Sequence, residues 1–433
     1  MPIVEALYSG LVGAAHALSP MFAHGGSKLA RSIRGRRNVV SRLAEWSTTG
    51  RERGRRLIWF HAPSVGEGLQ ARAVMTAMLD RRADLQVVFT HSSPSAEGLA
   101  RGMPAAAADY LPWDRAVDMD PVLDAIRPSL IVYTKTEIWP VLTRSARRRG
   151  IPTALVAATL PPGSSRLRWP TRSFLRRALA RLSAVLAIAP EDAERFARSG
   201  ARREVIGVTG DPGIDSAATR LGEASRDAPY LAPFHRDPRP TLVAGSTWPA
   251  DEEVLLDALD EIRAAHPDVR LVIAPHEPTP DHLRPLEAAL AAKGWSTARL
   301  GDVESRGAIG EASAIIVDRV GVLAHLYTVG GVAFVGGGFH GAGLHSVLEP
   351  AAAGRPTVFG PRHQGSRSAG DLLAAGGARV AGDAPELARV VRDWLTDVEL
   401  RDRSGRAAQG YIEAHRGAAS RTADRLLEIV GGQ

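Results

Sequence analysis

Three consecutive glycines and a nearby carboxylate single out the stretch Val332–Pro361 as a candidate binding site. Gly336, Gly337 and Gly338 follow a short apolar run, and Glu349 lies about one and a half turns into a segment of helical composition. Glycines let a backbone approach a phosphate, and the N-terminus of the following helix offers free N–H groups and partial positive charge. A carboxylate there suits sugar hydroxyls. The stretch predicts a site for a phosphate and a sugar, although a glycine turn can also simply close a loop.

A second candidate group follows the first predicted strand and contains Ser64, Gly66 and Glu67. Gly66 permits a sharp turn, and Glu67 then stands at the start of the predicted helix Gly68–Arg81. A carboxylate at this point could deprotonate an attacking hydroxyl that lies within about 3 Å. The alternative is that Glu67 only complements the dipole at the helix N-terminus.

Two further polar loops follow strands in the first half of the chain. Ser92 and Ser93 belong to a hydroxyl-rich loop that suits polyol or phosphate contacts, with ordinary N-capping as the alternative. Lys135 and Glu137 follow the predicted strand Leu130–Thr134, and functional residues of parallel sheets collect at such carboxyl ends. The alternative for this pair is a surface ion pair, which contributes little to stability.

The second half of the chain repeats this arrangement. Ser246 and Thr247 follow a strand, and their hydroxyls could hold a donor phosphate or cap the next helix. His276, which follows Pro275, could contact a phosphate or a base, although a lone histidine is more often structural. The sequence has no metal-ligand spacing such as HExxH and no cysteine, so we predict no essential metal and no disulfide.

Short apolar strands that alternate with helices must position these groups. The predicted strands are Leu57–His61, Leu85–Thr90, Leu130–Thr134, Thr153–Ala158, Ala184–Ile188 and Val205–Val208, then Thr241–Ala244, Arg270–Ala274, Ala314–Val317, Val332–Val335 and Thr357–Phe359. The alternation predicts an α/β fold of two Rossmann-like, doubly wound parallel sheets with a cleft between their carboxyl ends. Nucleotide-sugar glycosyltransferases and some epimerases share this architecture, so the fold alone does not choose between them.

Length and composition agree with two domains, because 433 residues with 45% apolar content can bury large cores. We predict a membrane-anchoring helix at 1–30, a first Rossmann-like domain at 31–216 and a second at 240–415. Residues 217–239 lose the periodicity and are predicted as a linker. The final helix, 416–433, could return to the first domain.

The N-terminus is apolar and is followed by ten basic residues between 28 and 56. An apolar helix beside dense arginine is typical of a membrane-surface anchor, since each basic residue near anionic lipid contributes roughly 1 kcal/mol. The alternative is a helix packed on the domain with a solvated basic face. A net charge of +7 with only 5% aromatic residues and no stacking platform does not favour nucleic-acid binding.

Several segments, taken in order, resemble the 3-deoxy-D-manno-octulosonate (Kdo) transferases, glycosyltransferases that move Kdo from CMP-Kdo to lipid A precursors. The matching segments are SVGE at 64–67, the loop from Thr90, YLPWD at 110–114, TEIWP at 136–140, Gly-Ile-Pro at 150–152, ST…DEE at 246–253, APHEP at 274–278, D…G…L…LY at 318–327, FVGGG at 334–338, H…LEPAA at 345–352 and GP at 360–361. The resemblance covers nearly the whole chain.

The resemblance implies a GT-B fold, monotopic attachment to the cytoplasmic face of the bacterial inner membrane, and metal-independent, inverting transfer without a cofactor. Glu67 would be the general base. The implied donor site comprises Ser246, Thr247, Pro275, His276, Gly336, Gly337, Gly338, Ser346 and Glu349. The first domain would receive the phosphorylated acceptor near Ser64, Gly66, Ser92, Ser93, Lys135 and Glu137.

The chain departs from the family pattern at five positions, one of which is Val141 in place of the asparagine of LWPN. Lys135 replaces the first glutamate of ETE, and Gly213 stands where an NLKFD-like segment has lysine. His276 replaces an arginine, and Ser346 replaces an asparagine. We hypothesise that Lys135 compensates for the lysine missing at 213, which requires its ammonium to lie on the Gly213 side. The alternatives are a diverged GT-B glycosyltransferase with another donor or acceptor, and a non-catalytic relative that binds sugar nucleotide or lipid.

Overall fold

The computed structural model describes residues 3–168, 171–341 and 343–432, and the chain divides into two units. The first unit combines the residues up to 216 with those from 416 onward, and the second comprises 217–415. Each unit contains one parallel sheet of seven strands with helices on its two faces.

The sheet of the first unit has the strand order β3-β2-β1-β4-β5-β6-β7. Its strands are β1 Arg56–His61, β2 Leu85–His91, β3 Ala107–Tyr110, β4 Leu130–Thr134, β5 Thr153–Ala158, β6 Ala184–Ala187 and β7 Ile206–Val208. The helices that precede or connect them are α1 Ile3–Leu18, α2 Lys28–Gly35, α3 Val39–Thr49, α4 Val65–Arg81, α5 Glu97–Ala100, α6 Ala116–Ile126, α7 Pro140–Arg148, α8 Thr171–Arg181 and α9 Pro190–Ser199.

Burial on both faces explains why these strands read as continuous apolar runs. In β1, Leu57 and Trp59 belong to one buried cluster and Ile58 and Phe60 to another, because successive side chains of a strand point to opposite faces. Strand β3 was not predicted from the sequence, since its side chains are less buried than those of the central strands.

The sheet of the second unit has the strand order β10-β11-β9-β8-β12-β13-β14. Its strands are β8 Thr241–Thr247, β9 Arg270–Pro275, β10 Thr297–Arg299, β11 Ala314–Ile316, β12 Val332–Val335, β13 Thr357–Phe359 and β14 Ala378–Val380. Its helices are α10 Pro212–Gly222, which begins in the first unit, α11 Ala232–Arg236, α12 Pro249–Ala265, α13 Pro280–Ala292, α14 Leu300–Arg306, α15 Leu323–Leu326, α16 Leu348–Ala352, α17 Arg367–Ala375, α18 Ala384–Thr396 and α19 Val398–His415.

The segment predicted as a linker, 217–239, is ordered structure of the second unit. It contains the end of α10 and all of α11. Leu231 and Phe234 are buried in the same cluster as Val243 of β8. The loss of periodicity in this segment therefore marks a short helix that packs through a few large side chains.

The C-terminal helix α20, Ala418–Gly431, packs against α4 of the first unit. Ala419, Ala423 and Leu426 lie in the same buried cluster as Ile58 of β1. The chain therefore returns to its first unit, which is the position that the sequence analysis considered for this helix.

Candidate functional site

The predicted site residues form two groups, and the group in the first unit is built around Glu67. The helix α4 begins at Val65, after Ser64 in an extended conformation, so Glu67 lies in the first helical turn. Gly66 is therefore helical and has no positive φ, which differs from the predicted sharp turn. Apart from its chain neighbours and its own helix backbone, a Cβ atom at Gly66 would have no heavy atom within 4 Å, so it would enter open space.

Each carboxylate oxygen of Glu67 has a hydrogen-bond donor. Nζ of Lys135 lies 3.2 Å from Oε1, and the hydroxyl of Ser64 donates to Oε2. Burial alone would raise the pKa of Glu67, but the Lys135 ammonium and the Ser64 hydroxyl outweigh it, so the pKa lies below its usual value. Glu67 is therefore a carboxylate at neutral pH, which is the form that a general base requires.

Lys135 immediately follows β4 and has φ of +66°, in the left-handed region that non-glycine residues seldom adopt. Its backbone N–H donates to the carbonyl of Val156 in β5 at 2.8 Å, so sheet hydrogen bonding fixes this conformation. Its charge also lowers the pKa of Asp211, although burial raises that pKa overall. Asp211 accepts from the N–H of Gly213 at 2.8 Å. The Lys135 charge therefore acts on Asp211, which binds the Gly213 N–H, and this is consistent with the charge-exchange hypothesis.

Glu137 is the second carboxylate of this group, and Nη2 of Arg166 lies 3.3 Å from its Oε2. Burial raises the pKa of Glu137, and the negative charge of Glu67 raises it further, while Arg166 and Arg36 act in the opposite direction. The two carboxyl groups thus have pKa values displaced in opposite directions, a pattern typical of acid–base sites.

The two predicted loop serines, Ser92 and Ser93, differ in their hydrogen bonding. Ser93 caps the short 3₁₀ turn Pro94–Ala96 by accepting from the N–H of Ser95, which is the capping alternative of the sequence analysis. The carbonyl of Ser92 accepts from the hydroxyl of Ser32 at 3.0 Å. The Ser92 hydroxyl is buried and has no hydrogen-bond partner within the described ranges, so it could meet an acceptor only after a local rearrangement.

The glycine loop of the second unit is held by Asp251, at the start of α12. Its carboxylate accepts from the N–H groups of Gly337 at 2.7 Å and Phe339 at 3.0 Å, and from that of Trp248 at 2.9 Å. The N–H of Gly336 donates to a carbonyl of β8. These N–H groups are therefore engaged within the protein, which differs from the predicted phosphate cradle.

Close backbone packing explains two of the glycines. A Cβ atom at Gly336 would collide with the backbone of Ser246 and Thr247, and one at Gly338 would collide with the backbone of Gly360. The absence of side chains lets the loops after β8, β12 and β13 touch. The glycines thus shape the floor of the site, and its chemistry comes from side chains around them.

Those side chains form an aromatic group of Trp248, His276, His340 and His345. The Trp248 ring stacks on His340 with centroids 4.5 Å apart, and His276 stacks on His345 at 4.4 Å. Nε1 of Trp248 donates to Nε2 of His345 at 2.9 Å. Burial, with the charges of His276 and His340, lowers the pKa of His345 to about 4, so it is a neutral acceptor at pH 7. Flat rings and imidazole nitrogens suit a nucleobase and a phosphate.

Of this aromatic group, the sequence analysis named only His276 as a site residue. Trp248 follows the hydroxyl pair Ser246–Thr247 directly, and that adjacency was the available signal. Ser246 itself has φ of +56°, whereas the Thr247 hydroxyl is buried and donates to Glu252 at 2.7 Å. Thr247 is thus engaged internally.

The remaining donor-site residues surround α16, which begins at Leu348, later than the predicted one and a half turns before Glu349. Glu349 therefore lies in the first turn and is ion-paired with Arg220. The hydroxyl of Ser346, two residues before the helix, accepts from the N–H of Leu348 at 3.3 Å. Pro275 is buried at the end of β9. A ribose hydroxyl that binds Glu349 would share the carboxylate with the guanidinium.

The described part of the chain holds no group of three or more His, Cys, Asp or Glu side chains that could bind a metal ion. None of its helices has the length and apolar character needed to cross a membrane.

Comparison with known proteins gives one family. Its model, described as 3-Deoxy-D-manno-octulosonic-acid transferase (kdotransferase), matches residues 36–216. A 3-deoxy-D-manno-octulosonic acid transferase of Bordetella pertussis is 31% identical over 397 residues, covering 86% of this chain and 87% of the relative. The corresponding protein of Haemophilus influenzae is 26% identical, with coverage of 85% and 86%.

Similar solved structures support the fold. A UDP-GlcNAc 2-epimerase from Neisseria meningitidis has a TM-score of 0.60 at 13% identity, covering 88% of this chain and 100% of the other. The enzyme of that name from Methanocaldococcus jannaschii has a TM-score of 0.56 at 13% identity, covering 83% and 99%. At such identity the likeness concerns the fold alone, and the predicted two-domain α/β fold of GT-B type is confirmed.

Proposed function

We propose that this chain, which belongs to the 3-deoxy-D-manno-octulosonic acid transferase family, is a glycosyltransferase that transfers Kdo from CMP-Kdo to a lipid A precursor in lipopolysaccharide biosynthesis. The observation that carries the proposal is the Bordetella pertussis relative, which this chain matches at 31% identity over most of both lengths. The arrangement around Glu67 supports it, because a partly buried carboxylate kept ionised is suited to activate a hydroxyl.

In the proposed reaction, Glu67 takes the proton of an acceptor hydroxyl. The hydroxyl oxygen forms a bond to the anomeric carbon of Kdo, while the bond from that carbon to the CMP phosphate oxygen breaks and CMP leaves with the electron pair. Attack opposite the leaving group inverts the anomeric configuration. Ser64 orients the carboxylate, and Glu137 lies near enough for its pKa to respond to the charge of Glu67.

The donor would bind the aromatic group of the second unit. A cytosine ring can stack on Trp248 or its neighbouring imidazoles, and His276 replaces the family's arginine as the donor to an anionic group. Glu349, shared with Arg220, would receive ribose hydroxyls. In this scheme the leaving phosphate is stabilised by hydrogen-bond donors without a metal.

The first 29 residues support attachment to a membrane surface. Six of the large apolar side chains that lie exposed in the described chain occur there: Leu7, Leu11, Leu18, Met21, Phe22 and Leu29. The other face of α1 is fixed to the first unit, since Tyr8 donates to Asp114 at 2.9 Å and Glu5 pairs with Arg144 at 3.5 Å. We propose that the exposed face of α1, with Leu7, Leu11 and Leu18, enters the cytoplasmic leaflet of the inner membrane. The basic residues between 28 and 56 would then contact anionic headgroups.

The test of the activity is transfer from CMP-Kdo to a tetraacylated lipid A precursor, with and without EDTA. We expect EDTA-resistant transfer by the wild-type protein and a loss of about 10²- to 10⁴-fold in Glu67→Gln. Glu45→Gln, a change at an exposed carboxylate of α3, is the matched control and should retain activity.

Other results would support the alternatives. A folded protein that fails to transfer Kdo, yet transfers another activated sugar, would be the diverged glycosyltransferase, which the changes at His276 and Ser346 favour as the second candidate. Binding of a sugar nucleotide without turnover of any acceptor would identify the non-catalytic relative.

The membrane proposal has its own test. Flotation with vesicles that contain anionic lipid should recover the wild-type protein, and Leu7→Ser combined with Leu11→Ser should remain in the soluble fraction. Equal recovery of both proteins would contradict insertion of this face.

A further inference from the structure

We infer that Lys135 is a positioning residue, whose ammonium holds the Glu67 carboxylate in one charged orientation and thereby sets the lower pH limit of transfer. The inference rests on the proposed role of Glu67 as general base. It goes beyond that role because family membership does not supply it: this chain has lysine where the family pattern has glutamate.

The position of the ammonium follows from the sheet. Strand β4 ends at Thr134, and the Lys135 N–H continues the pairing to Val156 while φ switches to +66°. A lysine has no intrinsic preference for this conformation, which glycine and asparagine adopt more easily. The backbone therefore does not explain the residue type, whereas the side-chain contact with Glu67 does.

The contact with Lys135 orients the Glu67 carboxylate and also favours its ionised form. Lys135 binds one oxygen of Glu67 and Ser64 binds the other, so rotation about the terminal torsion is restricted. The Glu67 side chain is only 16% exposed, whereas that of Lys135 is 46% exposed. The exposed ammonium is screened by solvent, so its effect is smaller than in a buried pair.

The charges around Glu67 determine how its pKa responds to the loss of the Lys135 ammonium. The titratable and charged groups whose fields act on Glu67, or on its neighbours in this group, are Lys135, Glu137, Asp211, Asp215, Arg36 and Arg166. Arg166 is paired with Glu137 and Lys135 with Glu67. Removal of the ammonium therefore leaves Glu67 with the charge of Glu137 and without its own cation, and Glu67 will bind a proton at higher pH.

The test is the pH dependence of kcat/KM for CMP-Kdo transfer by wild type, Lys135→Gln, Lys135→Asn and Lys135→Arg. The acidic limb is the part of the profile in which kcat/KM falls as Glu67 binds a proton. We expect its midpoint to lie about 1 pH unit higher in the two neutral variants. At pH values well below the midpoint, their kcat/KM should then be about tenfold lower than that of the wild type. Lys135→Arg should restore the wild-type limb. The asparagine variant suits the left-handed backbone, so at least one neutral variant retains the fold.

The possible failures are distinguishable. An unmoved acidic limb in folded neutral variants, with Glu67→Gln inactive, would overturn the role of Lys135 and leave the proposed function intact. A uniform loss of activity at every pH, with the acidic limb unmoved, would also overturn it, because the proposal requires that limb to move. Full activity of Glu67→Gln would instead overturn the proposed base, on which the inference depends.

Discussion

In both candidate regions a buried aspartate accepts hydrogen bonds from several backbone N–H groups, but the two aspartates hold different structures. In the first unit, Asp114 accepts from the N–H groups of Val141 at 2.9 Å and Leu142 at 2.8 Å, and so caps α7 after the TEIWP segment. In the second unit, Asp251 binds three N–H groups, two of them in the glycine loop. One aspartate fixes a helix beside a group of charged side chains, and the other fixes a loop whose glycines touch neighbouring backbone.

This difference indicates which kinds of substitution each region should tolerate. Around Glu67 the interactions are between charges, and the half-exposed ammonium of Lys135 acts on Glu67 and Asp211 through its charge. Around Gly336 the interactions are between backbone atoms in contact, where an added methyl group has no space. The first region should therefore respond mainly to pH and charge, and the second mainly to shape.

The largest effect should come from Asp251→Ala. The change leaves three partly or fully buried N–H groups without their acceptor, at about 1–3 kcal/mol for each, so we expect the second unit to lose about 4 kcal/mol of unfolding free energy. Hydrogen exchange of its amides, with CMP binding measured in parallel, checks this. Asp257→Ala, an exposed change on the same helix, is the control. Protection equal to wild type would mean that Asp251 does not hold the loop.

A pair of glycine substitutions compares shape directly. Gly338→Ala should destabilise the protein by about 2–3 kcal/mol, since its Cβ would meet the backbone of Gly360, which cannot move as a side chain could. Gly66→Ala should change stability by less than about 1 kcal/mol, because its Cβ enters open space in a helix. Thermal unfolding of both variants gives the comparison, and equal losses would refute the distinction.

These glycines also show what the sequence could and could not provide. Their clustering after an apolar strand predicted the loop between β12 and α16 correctly, because strand ends and glycines are local signals. The use of their N–H groups depends on Asp251, which lies far away in the sequence and reaches the loop only through the order of strands in the sheet. A phosphate cradle and an internally bonded loop have the same local pattern.

The charged group has the same limit. The end of β4 predicted that Lys135 and Glu137 would be functional neighbours, but nothing local pairs Lys135 with Glu67, 68 positions earlier. Similarly, His276 was recognisable because it follows a strand, whereas its contact with Trp248, and that of His340, are properties of the folded sheet. Local elements and core strands were predictable; partners across the fold required the structure.

Protonation of His345 in the aromatic group should make the free energy of unfolding depend on pH. His345 has a folded pKa of about 4, below its ordinary value of 6.5, so its contribution is complete above about pH 6.5 and is lost as pH falls through about 4. His345→Gln keeps an acceptor for Trp248 but does not bind a proton. We expect wild type, relative to this variant, to lose about 2 kcal/mol over that interval in urea unfolding. Parallel pH curves would show that His345 does not titrate there.

The smallest predicted changes in unfolding free energy concern two arginine–glutamate pairs, one in each region. Arg220 and Glu349 of the second unit are each 16% exposed, whereas Arg166 and Glu137 of the first are 39% and 27% exposed. Arg220→Gln should cost about 1 kcal/mol in urea unfolding, because a partly buried carboxylate loses its cation. Arg166→Gln should cost about 0.5 kcal/mol or less, since solvent replaces much of that interaction. Its main result should be a further rise in the pKa of Glu137, visible in the pH profile of transfer. If Arg166→Gln is instead the more destabilising change, charge also maintains the fold of the first region, and the contrast between the regions fails.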